Sequence, residues 1–164
     1  MNFPQSSLEK KHFPVMLNEI IKTCRPEKGG NFIDCTFGAG GYSTELLKFP
    51  NTNVIALDRD KEVEKKAKNL EKKYPNRFKF YNEKFSNLDR AININKKVDA
   101  IIFDLGLSSL QLLDMPRGFS FKSKGKIDMN MGLSSISAEE VINKLDENNL
   151  KLIIKIFGDE KEAS

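Results

Sequence analysis

Strand-like apolar runs alternate with helical patterning over residues 14–104, and this alternation limits the fold more than any other feature. Val15, Leu17, Ile20 and Ile21 recur at helical spacing within 14–24, and Pro14 suits a first helical position. A turn over 25–30 leads into a short buried strand at 31–36. A helix over 42–48, a strand at 53–58 and a Lys/Glu-rich helix over 61–73 follow. A third strand at 77–81, a helix over 88–94 and a fourth strand at 98–104 complete the pattern. Strands separated by helices predict an α/β fold built on a parallel sheet with right-handed crossovers. From 105 to 137 the periodicity is lost, and a stretch of that length inside a domain is usually functional or disordered. Ser137-Ala-Glu-Glu140 then reads as a capping box opening one helix. Asp146 caps the next, with Leu150, Ile153, Ile154 and Phe157 on one face and Gly158 able to end it.

Composition narrows the class without choosing a function. The 164 residues are 39% hydrophobic and 30% charged, which is globular rather than disordered. No apolar run approaches the ~20 residues of a membrane-spanning helix, and none near the N-terminus has signal-peptide character. A cytoplasmic protein is therefore expected. Cys24 and Cys35 are too few for a disulfide framework, and a single histidine, His12, argues against a multi-His metal site. The net charge of +4 comes mostly from dispersed lysines and reads largely as solvated surface.

The strongest chemical signal is the segment Phe32-Ile-Asp-Cys-Thr-Phe-Gly-Ala-Gly-Gly41 followed by Ile55-Ala-Leu-Asp58. A strand feeding a glycine turn and then a helix lets the backbone approach a ligand, since glycine tolerates positive φ. Asp58 follows Gly38 by 20 residues, at the end of the next strand, where an acid accepts the hydroxyls of an adenosine ribose. A dinucleotide site would want a third glycine at position 43, which is Ser43. S-adenosylmethionine has no pyrophosphate to cradle, and Asp34, Gly38, Gly40, Gly41 and Asp58 favour it over NAD. In a sheet ordered 3-2-1-4, Asp104 would join them in the crevice at the strand C-termini, the alternative being a simple cap. Phe85 is open between covering an adenine ring and filling the core.

Four blocks then carry a resemblance: Cys35-Thr-Phe-Gly-Ala-Gly-Gly-Tyr-Ser43, Ala56-Leu-Asp-Arg-Asp60, Phe103-Asp-Leu-Gly-Leu-Ser-Ser109 and Arg117-Gly-Phe-Ser-Phe121. On these the chain closely resembles the bacterial S-adenosylmethionine-dependent methyltransferases acting on the N4 amine of a cytosine in small-subunit ribosomal RNA. The match runs from His12 to Glu160. It implies a Rossmann-like methyltransferase sheet with strands 1–4 present and the start of a helical insert. It places cofactor contacts on Gly40, Gly41, Tyr42, Asp58, Phe85, Asp104 and Gln111. Tyr42 stands where the family commonly has His, Leu110 where it has Pro, and Asn130 where it has Arg.

The resemblance divides the chain into a cofactor-binding part at 1–104, a substrate and cofactor loop at 105–137, and an insert beginning at 138–164. Family members are nearly twice as long, so the chain is expected to be the N-terminal part of a larger protein. Strand 4 would then form an apolar edge open to self-association. An exocyclic amine must shed a proton on methylation, and Asp104, or a backbone carbonyl beside it, is the candidate acceptor. The target base must leave its stack to react. Arg117, Phe119, Phe121, Lys122 and Lys124 interleave rings with cations, as single-stranded RNA contacts do, or else form a structural loop. His12 reads either as a substrate or cofactor contact or as a cap before Pro14. The competing functional readings are an inactive or incomplete donor-binding fragment and an NAD-dependent oxidoreductase.

Overall fold

A computed structural model describes residues 14–91 and 97–163. The chain divides into two units, Met1–Gly106 and Leu107–Ser164. His12 lies outside the described residues.

In the first unit the described elements run α1 (Leu17–Cys24), β1 (Gly30–Asp34), α2 (Gly41–Leu47), β2 (Thr52–Asp58), α3 (Glu64–Lys73), β3 (Phe78–Asn82), α4 (Leu88–Ala91) and β4 (Ala100–Ile102). The sheet is ordered β3-β2-β1-β4, and all three pairings are parallel. This is the doubly wound, Rossmann-like arrangement that the alternation of elements predicts, with β1 and β4 flanking the point where strand order reverses.

Burial follows the sheet. β1 is central, and Phe32, Ile33 and Asp34 are each 1% exposed or less. On β2, Thr52, Val54, Ala56 and Leu57 are buried, and the Thr52 hydroxyl donates to Leu46 O at 2.8 Å. Arg77 ties the end of α2 to the start of β3: its guanidinium donates to Leu47 O at 3.1 Å and Phe49 O at 2.8 Å. Leu47 O is one of the carbonyls that the end of a helix leaves without an intrahelical partner, and Phe49 O lies just beyond it.

Several boundaries differ from the sequence reading, each for a local reason. α1 starts at Leu17 rather than Pro14, because Met16 has a left-handed backbone (φ 51°) that cannot continue a helix backwards. The stretch 61–73 opens with a 3-10 turn, Lys61–Val63, capped by Asp60 before α3 begins. β4 pairs with β1 over three residues only, so Asp104 lies beyond the strand rather than on it.

The second unit holds α5 (Ser109–Leu113), α6 (Ala138–Lys144) and α7 (Glu147–Phe157). The region read as lacking periodicity thus contains one short helix and a 3-10 turn at Met115–Arg117. Ser137 and Glu140 form the reciprocal capping box read from the sequence, and Asp146 accepts from Asn149 N at the start of α7. Among the described residues, no helix is long and apolar enough to cross a membrane.

Candidate functional site

The turn between β1 and α2 is organised by carboxylates on three sides. Gly38 has φ 52° and Gly40 φ 80°, conformations that glycine adopts without a Cβ penalty. A Cβ on Gly40 would lie 2.7 Å from the Phe37 ring, whereas one on Gly38 would meet nothing nearer than Thr36 O at 3.8 Å. The turn is therefore packed from behind at Gly40 and open at Gly38.

Asp58, at the end of β2, reaches across to this turn. Its Oδ2 accepts from Gly38 N at 2.7 Å and its Oδ1 from Asp60 N at 2.9 Å. Each oxygen keeps further acceptor capacity, the requirement for binding two vicinal hydroxyls. Burial raises the Asp58 pKa above the ordinary carboxylate range, partly offset by these two N–H donors.

Asp34 acts from beneath. It is wholly buried, its Oδ2 accepting from the Ser43 hydroxyl at 2.7 Å and its Oδ1 from Thr36 N at 3.3 Å. Desolvation pushes its pKa up to about 6 against the opposing pull of the Ser43 hydrogen bond. The carboxylate expected to touch cofactor presents no surface to solvent here, and it braces the first turn of α2 through Ser43. Ser43, read only as the missing third glycine, is the residue that makes this brace.

Tyr42 and Asp104 meet at the other side of the turn. The buried Tyr42 hydroxyl donates to Val15 O at 2.6 Å and lies 3.3 Å from Asp104 Oδ2. Burial and the Asp104 charge push its pKa up to about 12, so it remains a neutral donor. Asp104 itself is exposed, and its backbone N–H donates to Thr36 Oγ1 at 2.8 Å. Phe85 sits in a 3-10 turn after β3 and meets Phe103 edge to face, centroids 5.5 Å apart. Both rings are more than 40% exposed, so Phe85 belongs to a surface aromatic pair and not to the core. Phe103 has no periodic signature that would single it out in the sequence.

The first unit therefore gathers Asp34, the glycine turn, Tyr42, Asp58 and Asp104 at the C-terminal end of its sheet. Such a combination of parallel strands, glycine turn and ribose-type acid fits an adenosine ligand. The chain belongs to the MraW methylase family. The family model matches residues 9–164. Among curated relatives, the chain is 47% identical over 154 residues to the ribosomal RNA small subunit methyltransferase H of Rickettsia bellii (strain OSU 85-389), covering 93% of this chain and 50% of that protein. It is 44% identical over 153 residues to the protein of the same name from Rickettsia canadensis (strain McKiel), covering 93% and 49%. With that of Zymomonas mobilis subsp. mobilis it shares 40% over 155 residues, covering 93% and 46%. The chain thus spans about half the length of the curated relatives it matches.

The remaining expected residues lie in the second unit of this family member. Gln111 is buried there, its Oε1 accepting from Ser108 N at 2.9 Å while Ser108 Oγ accepts from Gln111 N at 3.2 Å. Arg117 donates to Asn130 O at 2.7 Å and stacks over Phe119 at 5.2 Å. Asn130, where the family commonly has Arg, uses its side chain on its own turn, donating to Ser134 O and accepting from Gly132 N. Phe121 is fully exposed, and Lys122 and Lys124 are exposed. An open cleft of about 960 Å³ in this unit is lined by Ser123, Lys124, Lys126, Asn143 and Lys144 among others.

Proposed function

We propose that this chain binds S-adenosylmethionine at the β1–α2 turn and serves methyl transfer to the N4 amine of a cytosine in small-subunit ribosomal RNA. The observation that carries the donor assignment is the set of acids around the turn: Asp58 bonded to Gly38 N, Asp34 beneath it and Asp104 beside Tyr42. A pyrophosphate would bring further negative charge against these carboxylates, whereas a sulfonium is a cation that they attract. Asp58 accepts the ribose hydroxyls with the capacity left on its two oxygens, and the exposed face of Phe85 covers the adenine.

The bound donor supplies an electrophilic methyl group. The chain supplies position and a place for the amine proton, and orientation is the larger part of such catalysis. Asp104 is exposed and held at its backbone and its carboxylate, so it is the acceptor of that proton. In the second unit, Arg117 and Phe119 are engaged with each other and with Asn130 O, and they stabilise the loop. RNA contact falls on Phe121, Lys122 and Lys124, an exposed ring for stacking flanked by cations for phosphates.

Calorimetry with S-adenosylmethionine tests the donor site. Asp58→Ala is expected to weaken binding by about 100-fold, the loss of two hydrogen bonds to a charged group. Unchanged affinity sinks the assignment. Incubation with labelled S-adenosylmethionine and immature small ribosomal subunits tests transfer, with label expected on cytosine N4. A second reading, donor binding without transfer, draws on the chain spanning half the length of its relatives. Label in the RNA overturns it.

A further inference from the structure

We infer that Thr36 is the positioning residue for Asp104, its hydroxyl replacing a backbone acceptor at the point where β1 leaves β4 for β2. The inference rests on the donor-site reading above and assigns that site a residue that neither spacing nor resemblance selected.

The hydrogen-bond pattern shows the exchange. The β1–β4 pairing continues as far as Cys35, whose N–H donates to Ile102 O at 2.9 Å. A regular parallel ladder would next join Asp104 N to Cys35 O, and Phe37 N to Asp104 O. Instead Phe37 N turns to Leu57 O on β2, at 2.9 Å. The main chain of β1 has crossed to its other neighbour, and its pairing with β4 ends there. Asp104 N is satisfied by the Thr36 side chain at 2.8 Å.

Two restraints then act on Asp104, a residue that no strand contains. Thr36 fixes its backbone, and Tyr42 lies 3.3 Å from its carboxylate. Thr36 is itself braced, because its own N–H donates to the buried Asp34 carboxylate. One chain of bonds therefore runs from Ser43 through Asp34 and Thr36 to Asp104. Only a side chain with an acceptor oxygen one carbon from Cβ's backbone attachment serves here; serine fits, while valine has the same shape and no acceptor.

The test uses this chain, with Thr36→Val and Thr36→Ser compared by calorimetry with S-adenosylmethionine and by amide hydrogen exchange followed by NMR. Thr36→Val is expected to weaken donor binding about tenfold and to speed exchange at Asp104 N by a similar factor. Exchange at the core amides of Ile33 and Val54 should stay as in the parent. Thr36→Ser should restore both donor affinity and Asp104 protection, which a packing role for the Thr36 methyl would not allow. Parent-like affinity in Thr36→Val overturns the positioning role. Rapid exchange at Asp104 N in the parent chain overturns the anchor itself, without any variant. Should the parent bind no S-adenosylmethionine, the proposed function falls, while the anchor is still decided by the Asp104 exchange rates.

Discussion

The two units of this chain are held by different physics. In the first, parallel strands bring residues distant in sequence into one buried layer, with Phe32, Ile33, Leu46, Leu47, Ala56 and Leu57 at 1% exposure or less. In the second, Gln111 is the one buried residue among those described, and order comes from contacts three or four residues apart together with a few backbone bonds between loops, such as Met129 N to Arg117 O and Glu139 N to Ile127 O. Ser108–Gln111 and Ser137–Glu140 are capping boxes, and Lys144–Glu140 and Lys151–Glu147 are (i, i+4) ion pairs. Most apolar side chains of α7 are exposed, Ile156 at 61% and Phe157 at 83%. Local capping can place a helix without a core, but it supplies little of the free energy that burial does.

The contrast breaks most readily at the core. Leu57 is fully buried and clusters with Ile33 and Cys35, against Ile55, Tyr81, Leu88 and Val98. Leu57→Ala is expected to cost about 3–4 kcal/mol by urea denaturation, the sum of lost transfer energy and residual cavity. Ile156→Ala should cost about 0.5 kcal/mol or less, since most of that side chain is already in water. Comparable losses at the two sites would mean that α7 is as firmly packed as β2.

Asp34 gives the next effect, and one with a sign. Its pKa is about 6 in the fold, above the ordinary value of roughly 3.9 in an unfolded chain. The folded state thus holds the proton more tightly. The stability that this contributes is complete below about pH 4 and is lost as pH rises through about 6. Asn at this position avoids the buried charge and can still accept from Thr36 N while donating to Ser43 Oγ. Asp34→Asn is therefore expected to be about 2 kcal/mol more stable than the parent at pH 7 and no more stable at pH 4. A gain independent of pH, or a loss at pH 7, contradicts an ionised carboxylate buried beneath the turn. Among its described residues the second unit offers no wholly buried counterpart: Glu140, drawn down to about 2 by Lys144 and the Ser137 N–H, is only partly covered.

What the sequence discloses divides along the same line. The parallel sheet, the glycine turn and the place of Asp58 at the end of β2 are legible because periodicity and spacing encode them. The capping box at Ser137 is legible because it spans three residues, whereas the one at Ser108 falls in the stretch read as lacking periodicity. Thr36 and Ser43 are not legible, since a hydroxyl that stands in for backbone or braces a carboxylate leaves no periodic trace. The start of α1 is misread for a similar reason: a left-handed Met16 depends on tertiary context rather than on propensity. Phe103 is hidden because an apolar residue at a strand end reads as core until its 49% exposure is seen. The bond from Arg117 to Asn130 O, thirteen residues away, is likewise set by the folded loop and leaves no trace in the sequence.

The smallest effect tests whether the second unit depends on its caps. Ser137 Oγ accepts from Glu140 N at 3.1 Å, and Glu140 Oε2 accepts from Ser137 N at 3.1 Å. Two N–H groups that the start of a helix would otherwise leave to water are thereby satisfied together. In a unit with a substantial core, losing one such cap would be absorbed by packing. Here α6 has no buried residue to hold it. Ser137→Ala is therefore expected to cost about 1 kcal/mol, read as faster amide exchange across α6, with the amides of β1 and β2 unchanged. Exchange in α6 equal to that of the parent would mean that packing, and not the capping box, keeps the helix in place.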